Sequence, residues 1–173
     1  MINLKSYIKE IPNWPKRGVS FKDFTPLLND PVAFRKAINQ ISKPYLKSKI
    51  GLVVGIDARG FILASAIAYK LKAGLAIIRK EGKLPRKTIK EEYSLEYASN
   101  IIEMHKDSIK PKQRVLIVDD VLATGGTMQA AIKLVKKLKG DIVGIAFLII
   151  LDYLKGEEKI KKYNIHSLIK FNK

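Results

Sequence analysis

The apolar and polar positions of the chain sort into short β-branched runs separated by stretches with helical spacing. "IGLVVGI" (50–56), "GLAIIRK" (74–80), "RVLIVDD" (114–120) and "IVGIAFLII" (142–150) are nearly continuous apolar blocks, the pattern of strands buried on both faces. Asp30 can cap a helix with Pro31 at its first position, and "VAFRKAINQIS" continues it until Pro44 disturbs it. Residues 60–71 and 127–138 carry apolar side chains three and four apart, and Gly140 is placed to stop the second helix. The order helix, strand, helix, strand, then strand, helix, strand predicts a doubly wound α/β fold, its mostly parallel sheet covered on both faces.

Two segments break the alternation. "PNWPKRGVSFKDFTPLL" mixes prolines and aromatics without a period and is expected to lie irregularly against the sheet as a small N-terminal hood (1–30). "EGKLPRKTIKEEYSLEYASN" (81–100) is a long polar insertion after a buried strand. Connections above roughly 12 to 15 residues are usually functional or disordered, so an active-site lid over 81–104 is expected. No repeat or interdomain linker interrupts the 173 residues, a length suited to one domain.

Composition narrows the function. No apolar run approaches the roughly 20 residues of a membrane span, and the N-terminus lacks the apolar core of a signal peptide, so a cytoplasmic protein with no membrane partner is expected. The absence of cysteine excludes disulfides, thiolate catalysis and cysteine-ligated metals. His105 and His166 stand alone, with no motif around either. The net charge of +17 suits an anionic partner, but the lysines are spread over almost every segment with few arginines or aromatics among them. A solvated basic surface, with no nucleic-acid partner, is the expectation.

Ligands of open parallel sheets bind beyond the carboxyl ends of the strands, where three turns follow proposed strands: "GIDARG" (55–60), the insertion from Glu81, and "DDVLATGGT" (119–127). In the last, Gly125 and Gly126 permit close approach of the main chain, Thr124 and Thr127 add hydroxyl donors, and a helix N-terminus follows. Such a turn suits a phosphate monoester. The triphosphate and dinucleotide loop spacings G-x-x-x-x-G-K-[ST] and G-x-G-x-x-G are absent. Asp119 and Asp120, at the end of a buried strand, would be costly without partners. Ribose hydroxyls qualify, because ionised carboxylates only accept hydrogen bonds and hydroxyls donate them.

"VLIVDDVLATGGT" resembles the phosphoribosyl-diphosphate (PRPP) signature of the type I phosphoribosyltransferases. With "IPNWPKRGVSFKDFTPLL", "VVGIDARGFILASAIAYKL", "IRKEGKLPRKT" and "YSLEYAS", the chain resembles the adenine phosphoribosyltransferases over nearly its whole length. The resemblance implies transfer of the phosphoribosyl group from PRPP to adenine, giving AMP and pyrophosphate, with Mg²⁺ carried on PRPP rather than bound directly by the protein, in a homodimer. It assigns Asp119 and Asp120 to the ribose hydroxyls, and Ala123, Thr124, Gly125, Gly126 and Thr127 to the 5-phosphate. Asp57, Ala58 and Arg59 fall to the pyrophosphate, through a turn that the family bends with a non-proline cis peptide. Arg79, Lys80 and Lys83 also reach the pyrophosphate, Glu96 is the general acid/base, and Tyr97 closes the lid. Adenine falls to Phe21 and Leu151 on its two faces, to the main chain near Ser20, and to Lys22. Lys22 stands where many members have arginine, Glu81 adds an acid on the pyrophosphate side, and Ala98 replaces a frequent glycine.

Two other readings share the PRPP loop. A transferase for guanine, hypoxanthine or xanthine would differ in the base-reading segments, where "SFKDFTPLL" and "YSLEYAS" favour adenine. A PRPP-sensing regulator that keeps this fold but binds DNA or RNA is the other. DNA-binding relatives add an N-terminal helix-turn-helix, which the roughly 50 residues before the first core strand disfavour. Length is a weaker argument against an RNA-binding relative, but Glu96 and a complete lid argue for catalysis.

Overall fold

The structure, a computed structural model, describes residues 2–95 and 98–173. Its elements in chain order are β1 (Lys9–Pro12), β2 (Ser20–Asp23), α1 (Thr25–Asn29), α2 (Pro31–Ser42), β3 (Leu52–Ile56), α3 (Gly60–Leu71), β4 (Gly74–Lys80), β5 (Thr88–Leu95), β6 (Ala98–His105), β7 (Arg114–Leu122), α4 (Gly126–Lys137), β8 (Asp141–Leu151) and β9 (Ile165–Phe171). A seven-stranded sheet runs in the order β5-β6-β4-β3-β7-β8-β9. β4, β3, β7, β8 and β9 are parallel, and the β5–β6 hairpin joins antiparallel through β4. This is the doubly wound architecture expected from the apolar blocks.

Period-two alternation divides the core. In β3, Val53 packs on the side of α2 and α3 with Leu63 and Ile67, while Leu52, Val54 and Ile56 face the α4 side with Ala131 and Leu134. All five β3 residues are buried, which is why the strand reads as an unbroken apolar run. Asp30 caps α2, its Oδ1 accepting the N–H groups of Val32 and Ala33 at 2.8 Å each, with Pro31 at the first helical position.

Four features depart from expectation. The hood is not irregular: β1 and β2 pair antiparallel, Phe21 opposite Ile11, but every β1 residue is exposed, so no apolar period marks it. The insertion is a hairpin whose strands widen the main sheet; Glu91 is polar because it pairs with Lys137 of α4 at 2.5 Å. β9 had no sequence forecast, since "IHSLIKF" interrupts its apolar residues with His166, Ser167 and Lys170. Finally, Lys139, not Gly140, carries the left-handed φ of 60° after α4. Gly140 is needed for space, because a Cβ there would lie 2.8 Å from Val135 Cγ1.

Candidate functional site

Three turns converge beyond the carboxyl ends of β3, β4 and β7. The first, after β3, contains a cis peptide between Asp57 and Ala58, at the place the resemblance implied. It delivers the chain into α3 at Gly60, where a Cβ would lie 2.7 Å from Asp119 Oδ1. Glycine therefore lets the start of α3 touch the acidic pair at the end of β7.

Asp120 is buried, and Arg59 Nη2 lies 2.5 Å from its Oδ2. The contact is an ion pair out of line for a hydrogen bond, and Oδ2 has no hydrogen-bond donor among the described residues. Asp119 Oδ1 accepts the Asp120 N–H at 2.9 Å. Burial, followed by the charge of Asp120 beside it, pushes the Asp119 carboxyl well above the ordinary carboxylate range; Arg59 offsets this only in part. Asp120 Oδ2 is thus left free to accept a hydrogen bond, as a hydroxyl-bearing ligand requires.

The loop after β7 and the first turn of α4 surround a cavity of about 130 Å³ with Asp119 and Phe147. Gly125 sits at a φ of 83° as the N-cap and has no side-chain cap, so the first N–H groups of α4 lack intrahelical partners and face an anion-sized space with the positive end of the helix dipole. Ala123, Thr124, Gly126 and Thr127 line this cavity with Gly125. Gly156, in the turn after β8, supports the loop from behind: a Cβ there would lie 2.1 Å from Ala123 O and 3.1 Å from Gly125 N. Sequence reasoning missed this glycine, for which "LKGEEK" gives no signal.

A cationic side is built around β4. Arg79 Nε donates to Asp57 Oδ2 at 3.1 Å and Arg79 Nη1 to Lys83 O at 3.3 Å, so the "DARG" turn and the start of the insertion are tied together. Lys80 and Lys83 are exposed beside it. Glu81, the unexpected acid, is paired with Lys90 at 2.6 Å and so is occupied away from Arg79. Glu103 of β6, also missed, is buried among these groups.

On the hood, the Arg59 guanidinium carbon stands 4.4 Å over the Phe21 ring and 5.2 Å over Phe24, and Trp14 meets Phe21 edge to face at 4.4 Å. Arg59 thus lies between the aromatic platform and the acidic pair, rather than turned to Arg79. Ser20 and Phe21 are partly exposed on β2. Contrary to its expected place in the adenine set, the Lys22 side chain is not at this cleft. It is 3% exposed, paired with Glu10 and 4.4 Å over Phe171, and it holds the Glu10 carboxyl below its usual range. Only the Lys22 carbonyl faces the cleft, accepting from Arg59 Nη1 at 3.3 Å. Leu151 is buried at the end of β8, in the apolar cluster that includes Phe24. Glu96 and Tyr97 lie outside the described residues. Among the described residues no cluster of three or more acids or histidines could hold a metal.

A family profile, the phosphoribosyl transferase domain, matches residues 28–173. Among solved structures, adenine phosphoribosyltransferase from Rhodothermus marinus is 46% identical, with 97% of this chain and 96% of that chain covered and a TM-score of 0.94. The enzyme from Thermoanaerobacter pseudethanolicus is 47% identical, with 97% and 98% covered and a TM-score of 0.93. The Saccharomyces cerevisiae enzyme, complexed with adenine and an imino-altritol bisphosphate, is 35% identical, with 95% of each chain covered and a TM-score of 0.89.

Proposed function

Because the chain belongs to the type I phosphoribosyltransferases, as an adenine phosphoribosyltransferase, we propose how its residues divide the work of that reaction. The enzyme transfers the 5-phosphoribosyl group of PRPP to adenine, giving AMP and pyrophosphate in purine salvage. The observation that carries the residue roles is the meeting, at one sheet edge, of an uncapped helix N-terminus, an acidic pair in which Asp120 Oδ2 lacks a hydrogen-bond donor among the described residues, and the turn that carries Arg59.

Ala123 to Thr127 hold the 5-phosphate through main-chain and hydroxyl donors. Asp119 and Asp120 accept the ribose hydroxyls, and their charge favours the cationic character that develops on the ring as C1 loses pyrophosphate. Arg59, with Asp57 and Ala58 in its turn, and Arg79, Lys80 and Lys83 receive the pyrophosphate. The guanidinium fork suits its oxygens. For adenine to stack on Phe21, the Arg59 guanidinium must leave that ring, and the diphosphate offers it a stronger anion. Leu151 closes the other face of the base, and the main chain near Ser20 reads the amine edge, with Lys22 contributing its carbonyl. Glu96 handles the purine N7 or N9 proton, and Tyr97 with the hairpin excludes water from the cationic centre.

Mg²⁺ enters on PRPP. Its preference for oxygen ligands and retained waters is met by the substrate, and the cationic groups around Arg79 suit a diphosphate that brings its own metal. Bound there, it neutralises charge on the leaving group. A homodimer is supported by exposed apolar groups on α3, Ile62 and Tyr69, the latter 90% exposed; sedimentation of the full chain tests it. A cytoplasmic location is proposed from the family alone; among the described residues no helix is long and apolar enough to cross a membrane.

The residue roles are tested by pyrophosphate release from Asp120→Asn and Glu96→Gln. Each should lose at least about 100-fold in turnover, the scale of removing a preorganised electrostatic group, while keeping the wild-type circular dichroism. Wild-type rates in either would remove its assignment.

A further inference from the structure

Glu103 is 2% exposed within β6, between buried Ile102 and Met104. A charge there is costly unless bonded, and this one is fully engaged. Its Oε1 accepts the N–H of Lys83 at 3.0 Å and of Leu84 at 3.1 Å, and its Oε2 accepts from Thr88 Oγ1 at 3.1 Å. The pairing of β6 with β4 and β5 needs none of these bonds. Their effect is to close the exposed turn between β4 and β5, which contains Gly82 at a φ of 77°.

Lys83 is therefore gripped from both sides. Its N–H is held by Glu103, and its carbonyl by Arg79, which is itself fixed by Asp57 in the cis turn after β3. We propose that Glu103 is a positioning residue for the diphosphate of PRPP, acting through the Lys83 main chain to fix where that ammonium meets the ligand. The inference rests on the pyrophosphate role given to Lys83 above. It requires no contact between Glu103 and substrate.

The test is a double-mutant cycle with the full chain, read by calorimetric titration of Mg·PRPP and by KM for each substrate. Glu103→Met leaves the two N–H groups without an acceptor, and PRPP should bind at least about 10-fold more weakly, since displacements near 1 Å cost up to about 100-fold. KM for adenine should stay within about two-fold. Glu103→Gln keeps an acceptor for both N–H groups and should restore PRPP binding to within about three-fold of wild type. In a Lys83→Ala background, Glu103→Met should add less than about two-fold, because coupled residues are not additive. Should the Met variant fail to fold, Glu103→Asp, whose shorter side chain cannot reach the turn, serves in the same cycle. Multiplying effects of the two substitutions, or equal losses for PRPP and adenine alongside a lower melting temperature, would overturn the proposal. A wild-type chain that binds PRPP but does not turn over adenine would defeat the functional reading alone, with the binding cycle still deciding the role of Glu103. A wild-type chain that does not bind PRPP defeats both.

Discussion

Gly156→Ala isolates the support beneath the proposed 5-phosphate loop. The added methyl would lie 2.1 Å from Ala123 O and 3.1 Å from Gly125 N, whereas a carbon and a carbonyl oxygen in contact stand about 3.3 Å apart. The gap must open by about 1.2 Å, and the Ala123 carbonyl is backbone, with no flexible end to swing aside. A shift of the loop toward the cavity it lines with Asp119 would displace the donors proposed to meet the phosphate. Overpacking of this kind costs about 1 to 3 kcal/mol, or roughly 2 to 12 °C in melting temperature for a chain of this size. A donor set moved by about 1 Å loses about 100-fold in kcat/KM for PRPP. Scanning calorimetry and PRPP-dependent pyrophosphate release measure the two effects on one preparation. An alanine variant with unchanged melting and kcat/KM for PRPP within two-fold would refute the claim that this glycine sets the loop; lower melting with unchanged kinetics would show that the loop is held by something else.

Three other substitutions probe separate parts of the account. The Asp119 carboxyl is raised by burial and by Asp120, so it favours folding only while protonated, below the ordinary carboxylate range, and that contribution is lost as pH rises through its elevated folded value; Asp119→Asn should therefore melt higher than wild type at pH 7, converge with it in acid and lose at least about 100-fold in turnover, and a lower melting temperature at pH 7 would contradict the reasoning. Tyr45 is buried and its hydroxyl pushed up to about 12, above the unfolded value near 10, so the neutral phenol stabilises the fold below pH 10 and the wild type should lose up to about 3 kcal/mol between pH 10 and 12. In urea melts Tyr45→Phe should lack that component, and equal alkaline losses would exclude it. Lys72 ends α3 at a φ of 55°; relief of about 1 to 2 kcal/mol of left-handed strain, less the 0.5 to 1 kcal/mol entropic cost of glycine, leaves Lys72→Gly a melting temperature level with wild type or up to about 6 °C higher, and a fall would show that Lys72 makes compensating contacts.

What could be read in advance follows burial. β3, β4, β7 and β8 lie in the middle of the sheet, so their apolar blocks announced them, and Asp30 with Pro31 announced α2. β1, with no buried residue, and β5, whose Glu91 answers lysines on α4, obey pairing partners far along the chain and leave no local period. The same division runs through the site. Asp119, Asp120 and the glycine turn are contiguous, and their chemistry is complete within a few residues. Glu103 acts on Lys83 and Gly156 on Ala123, and neither role exists until the fold brings distant segments together. The one local hint was an acid inside the apolar run of β6, a signal of the same kind as the aspartate pair. Arg59 illustrates a different limit: its turn was legible, but its stacking on Phe21 depends on a hood strand with no apolar face of its own.

The central claim is that this site joins the phosphoribosyl group of PRPP to adenine. Pyrophosphate release measured in parallel with adenine, hypoxanthine, guanine and xanthine, under saturating Mg·PRPP, tests it most directly. Turnover with adenine, AMP as the product and a large preference over the three oxopurines are expected. No turnover with adenine, or faster turnover with any of the others, would contradict it.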